Sequence, residues 1–157
     1  MTTQDLIARL EGAGEGSREI DALIWRALEP EQVDSICGFR GLIYAGHRYD
    51  KAEKAEYIRM MAGISAPPFT TSLDAALALA ERVLPEMFWS LGFLPDAEDP
   101  AWEEHHHNFA ALHPYLHVSD PRDALGYGAT PALALCIAIL RAHTARSAEP
   151  AKEAVAS

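Results

Sequence analysis

Nine consecutive apolar residues, Ala132 to Leu140, follow the pair Thr130-Pro131 in a chain of 157 residues. No other stretch restricts the possible folds as much. The threonine hydroxyl can cap the first free N–H groups of a helix, and a proline in the first turn loses no hydrogen bond there. A helix that is apolar all round must be covered on most sides. It falls well short of the roughly 20 apolar residues that cross a bilayer. The run therefore predicts a buried core helix, and the remaining segments are expected to pack around it.

With 49% hydrophobic residues, the chain is long enough and apolar enough for one domain with a real core. That domain is expected over residues 1–144, with 145–157, rich in Ala, Glu and Lys and without an apolar face, as a disordered tail. The net charge of −10 speaks against unspecific binding to nucleic acid or to an anionic membrane, both of which need a basic surface. There are two cysteines, Cys37 and Cys136. With no paired spacing, they make neither a disulfide framework nor a zinc site. Met1-Thr-Thr-Gln-Asp5 lacks the basic-then-apolar form of a signal peptide, so a reducing cytoplasm is the expected location.

Helices are predicted over Asp5–Glu11, Ser17–Leu28 and Thr70–Leu84. In the second, Ile20, Leu23, Ile24, Ala27 and Leu28 share one face. In the third, Thr71 or Ser72 supplies the cap and Leu73, Ala76, Leu77, Ala80, Val83 and Leu84 form the apolar face. The glycines between Gly12 and Gly16 read as a linker. Asp50 to Met61 predicts a short, largely exposed helix or a partly ordered insertion. Gly38 to Ala45 has strand character, and Glu86–Phe93 alternates as a strand with Met87, Trp89, Leu91 and Phe93 on one face. Trp25 and Trp89 are expected in the core. From Asn108 to Val118 a second alternation places Ala110, Leu112, Leu116 and Val118 on one side, and Phe109, Ala111, His113, Tyr115 and His117 on the other. Pro114 makes it an edge strand or two pieces joined by a bulge; the unpaired backbone of an edge strand would permit a homo-oligomer. Gly126 to Gly128 reads as the approach to the core helix.

Five of the seven histidines lie between His105 and His117, preceded by Glu103 and Glu104. Imidazole and carboxylate together suit first-row metals. In a strand, however, His113 and His117 stand about 13 Å apart, too far for one ion with bonds near 2 Å. A solvated loop followed by the polar face of a strand is the simpler reading, and no metal ligand or cofactor is assigned. Ser72, Ser90 and Ser119 lack the G-x-S-x-G context of a nucleophile elbow. The residues named for ligand contact are His113, Tyr115, His117 and Trp102, and no catalytic residue is named.

The stretch Pro68-Phe-Thr-Thr-Ser-Leu-Asp-Ala-Ala-Leu-Ala-Leu79, followed by Trp89 and by Ala129-Thr-Pro-Ala-Leu-Ala-Leu-Cys-Ile-Ala-Ile-Leu-Arg-Ala142, resembles the paired helix motifs of the phage ABA-sandwich domain family. Ser17–Ile24 is similar to the helix that often opens such proteins. The resemblance implies an α/β/α sandwich of phage or prophage origin and carries no catalytic residues. The physical reading agrees: an α+β fold, a three-layer α/β/α sandwich with a small, mainly antiparallel sheet. The function expected is that of a small soluble accessory protein binding a protein or small ligand without catalysis. Two alternatives stand beside it: a metal-binding protein or metalloenzyme using residues 103–117, and an acidic DNA mimic that inhibits a basic host protein.

Overall fold

The computed structural model describes residues 1–36, 51–93, 108–114 and 124–156. In chain order they form α1 (Thr3–Glu11), α2 (Arg18–Leu28), α3 (Pro30–Ile36), α4 (Lys51–Ser65), α5 (Leu73–Val83), β1 (Met87–Phe93), β2 (Asn108–Pro114), β3 (Leu125–Gly128) and α6 (Pro131–Ala156). The fold is α+β, with helices packed on a small antiparallel sheet, as the sequence predicts.

Helix α6 is the centre. Every residue from Ala132 to Leu140 is buried, the eight from Leu133 to Leu140 completely. Its first turn is capped by Thr130, whose Oγ1 accepts the Leu133 N–H at 3.2 Å. One side of α6 lies across β3 and β2 and reaches β1 only at its margin; α1 and α5 pack on it elsewhere. The other caps follow local chemistry. Thr2 and Asp5 form a capping box on α1, Ser17 caps α2 by accepting from Ile20, and Ser72 caps α5 by accepting from Ala75. Helix α4 is largely exposed, as expected, and rests on α2 and α3 through Ala62, Ile58 and Met61.

The sheet order is β1-β2-β3, both pairings antiparallel. Strand β2 is thus the middle strand, which corrects the edge position read from Pro114. The proline is tolerated because it is the last residue of β2, opposite Met87, while β3 pairs only with Asn108 to Ala111. The side where its N–H would be needed lies beyond the end of β3.

Gly126 to Gly128 is not an approach loop but most of β3. Helix α6 also continues to Ala156 through the segment assigned from sequence to a disordered tail. Alanine favours a helix by backbone propensity, and Thr144 and Ser147 return their hydroxyls to the carbonyls of Leu140 and His143. Helix α3, unread in the sequence, begins at Pro30, a favoured first-turn residue. The strand expected over 38–45 lies outside the described residues. No helix among those described is long and apolar enough to cross a membrane.

Candidate functional site: the open face of the sheet

The register divides the sheet into two chemically different faces. Toward α6 stand Leu91, Ala110 and Gly126 in one row, Trp89 and Leu112 in the next, and Phe93, Asn108 and Gly128 in a third. Ala110 and Leu112 are buried there, as the alternation predicted. Trp89 is 42% exposed, against the expectation that it would be core. Because α6 barely reaches β1, the side chains on this edge overhang the helix. Trp25, by contrast, is buried and donates its indole N–H to Gln32 at 2.9 Å.

The second face carries Phe88 and His113 in one row, Ser90, Ala111 and Leu125 in the next, and Gly92, Phe109 and Tyr127 in the third. None of these residues is a Lys, Arg, Asp or Glu. Phe88, Ser90 and His113 are exposed and the remaining side chains half-buried. Across the diagonal of the β1–β2 pair, Ser90 Oγ lies 3.1 Å from His113 Nε2. The Phe88 ring stacks on the imidazole with centroids 5.2 Å apart and planes at 27°. The Phe109 ring covers Gly92, where a Cβ would fall 2.4 Å from it; a glycine on the strand opposite an aromatic residue gives that ring its place.

Of the residues named from sequence, His113 stands on this face. Tyr115, His117 and Trp102 lie outside the described residues. Ser90 is the partner that sequence reasoning passed over, since pairing it with His113 requires the strand register. Among the described residues no group of three or more His, Cys, Asp or Glu side chains could hold a metal ion.

A separate cleft of about 550 Å³ lies where α2 and α3 meet α5 and α6, lined by Glu29, Pro30, Gln32, Arg82, Val83 and His143. Arg82 grips Glu29 with two parallel bonds, Nε at 2.8 Å and Nη2 at 3.1 Å, and this pairing raises the guanidinium above its ordinary range. His143 is shifted down, first by burial and then by the nearby Arg146 charge. A depressed folded value means that the unfolded chain binds more protons as pH falls below the ordinary imidazole value of about 6.5. Stability contributed by neutral His143 is therefore present above that pH and is lost as pH drops through the folded value. Urea midpoints at pH 7.5 and 5.5 are expected to differ less in His143→Gln than in the parent. The group is partly exposed, so solvent screening keeps the difference small; equal pH dependence in both proteins would refute the assignment.

Compared with models of protein families, with curated proteins and with solved structures, the chain matches none.

Proposed function

We propose that this chain is a small accessory protein of phage or prophage type that works in the cytoplasm by binding a partner protein through β1 and the open face of the sheet. The observation that carries this reading is the exposure of three aromatic residues on one seven-residue strand: Phe88 at 54%, Trp89 at 42% and Phe93 at 65%. Large rigid aromatic side chains are the residues that anchor protein interfaces. The strand has no charged residue, while the chain as a whole carries −10. The partner that fits is one with an apolar strip flanked by basic residues: its charge would be attracted over distance and its apolar strip would bury the aromatics. The phage-type origin rests on the sequence resemblance alone.

A photo-cross-linking residue at position 88, in the protein expressed in a bacterial host, is expected to capture one protein saturably. Replacing Trp89 and Phe93 by Ser should lower that capture about 10-fold or more, equivalent to about 1.4 kcal/mol of binding. The same cross-linker at Arg26, exposed on α2, serves as the reference. Equal capture from both positions, or capture indifferent to the double substitution, would dismiss the reading.

A further inference from the structure

The Ser90–His113 pair has a chemistry that a binding surface does not need. We propose that Ser90 is an acyl-accepting nucleophile with His113 as its general base, and that the open sheet face takes small acyl groups carried on good leaving groups, such as aryl esters. The inference is independent of the partner-binding reading.

The argument begins with geometry. A serine hydroxyl becomes a useful nucleophile when a base lies within about 2.6–3.2 Å of it, and Oγ to Nε2 is 3.1 Å. The histidine is not a freely turning surface group. Its ring is held against Phe88, which aims Nε2 along the diagonal toward Ser90. With the neutral ring carrying its proton on Nδ1, Nε2 is the acceptor and the hydroxyl donates to it.

The neighbours of Ser90 leave room over Oγ. Directly opposite is Ala111, a single methyl group. The flanking rows are Phe88 with His113 on one side and Gly92 with Phe109 on the other. Each aromatic row lies two residues, about 6.8 Å, from the Ser90 row, so the two rows stand about 13.6 Å apart and bound a broad, shallow trough across the sheet with Ser90 at its floor. A flat acyl or aryl group can lie in that trough against apolar walls. Both Ser90 and His113 are exposed, so reagent reaches them without any rearrangement.

The step balances as follows. His113 Nε2 takes the hydroxyl proton as Oγ forms its bond to the ester carbonyl carbon. The carbonyl carbon–oxygen bond to the leaving phenol then breaks, and the imidazolium returns its proton to the phenolate or to solvent. Water, deprotonated by the same imidazole, attacks the acyl-serine, and the acid leaves with Ser90 restored. Net, ester and water give acid and phenol. Among the described residues nothing hydrogen-bonds the other ring nitrogen of His113. Among the described residues the pair is thus a dyad, without the carboxylate that stabilises an imidazolium in a triad, and acylation by the dyad alone is expected to outrun hydrolysis of the acyl-serine.

The test uses the purified full chain and p-nitrophenyl acetate. The expected result is a burst of p-nitrophenolate approaching one equivalent per chain, with the acetyl group mapped to Ser90 by peptide mass spectrometry. Ser90→Ala abolishes the burst. His113→Gln keeps a hydrogen-bonding side chain but no base, and should slow acylation about 100-fold, the lower part of the range for a positioned general base. Both positions are exposed, and circular dichroism of each variant checks that the fold is intact. Acetylation found only on lysines or the N-terminus overturns the proposal, as does a burst equal in the parent and His113→Gln. Either failure leaves capture through position 88 unaffected, because no partner is present.

Discussion

Gly126→Val is expected to abolish cooperative folding, and Gly126→Ala to cost about 3 kcal/mol or more. A Cβ at Gly126 would fall 2.2 Å from the Ala134 carbonyl oxygen and 2.6 Å from the Ala138 amide nitrogen. Both are helix backbone atoms, committed to the ladder of α6 and unable to rotate aside as a side chain could. Relief requires α6 to lift from the sheet. That lift would loosen the second contact as well, where Gly128 lies so close that a Cβ would come 2.6 Å from the Ala134 nitrogen. The surface opened includes Leu133, Ile137, Ala110 and Leu112, all buried. Overpacking into side chains typically costs about 1–3 kcal/mol, so a clash with backbone belongs at or above the top of that range. At roughly 2–4 °C per kcal/mol for a domain of this size, Gly126→Ala should lower Tm by about 6–12 °C. Gly14, with nothing within 4 Å of its Cβ position, is the control: Gly14→Ala should change Tm little. Similar melting of the two alanine variants would show that the helix and strand do not approach this closely.

This contact also explains where the sequence could and could not be read. The burial of α6 was legible because nine apolar residues leave a helix no solvent face. The outlines of α2 and α5 were legible because their periodicity is local. The alternation in β2 correctly placed Ala110 and Leu112 inward and His113 outward. Strand β3 was hidden, since Gly126 and Gly128 have low strand propensity. They stand there because α6 crosses too close for any side chain, a tertiary reason with no local signature. With β3 unseen, nothing opposed the reading of β2 as an edge strand from Pro114. The aromatic residues of β1 misled differently: alternation told which face Trp89 occupies but not how far α6 extends to cover it. Half of the candidate dyad was visible as a histidine in a strand. Its other half, Ser90, lies 23 residues away and becomes its neighbour only once the register is fixed.

Asp21→Ala is expected to destabilise the chain by about 3 kcal/mol, and Asp21→Asn by clearly less. Asp21 is fully buried on α2. Its Oδ1 accepts the Thr70 N–H at 2.8 Å and the Thr70 hydroxyl at 2.7 Å, fastening the segment before α5 to the first turns of α2. The half-exposed Arg18 stands 3.4 Å from the other oxygen. Removing the carboxylate leaves the Thr70 N–H buried without an acceptor, at about 1–3 kcal/mol, and forfeits a charge-assisted bond worth more than a neutral one. The hydroxyl fares better, because Ser17 O lies 3.3 Å away as a second acceptor. Asparagine keeps an oxygen at Oδ1 for Thr70 and loses the charge and the long contact with half-exposed Arg18, hence the smaller cost. Gly16 shows how tightly this joint is closed, for a Cβ there would fall 2.4 Å from the Thr70 carbonyl oxygen. The same joint shields Cys136, buried with its thiol donating to Phe69 O at 3.4 Å. Burial above all, and then the Asp21 charge, push that thiol far up, so it should be inert to thiol reagents in the native parent. In Asp21→Ala the segment holding Phe69 and Thr70 opens more often, and Cys136 labelling under native conditions should accelerate by about the factor that 3 kcal/mol implies, roughly 100-fold. A variant that unfolds within about 0.5 kcal/mol of the parent in urea, with labelling unchanged, would mean that Asp21 is an incidental buried carboxylate and that the segment is held by the apolar contacts of Phe69 alone.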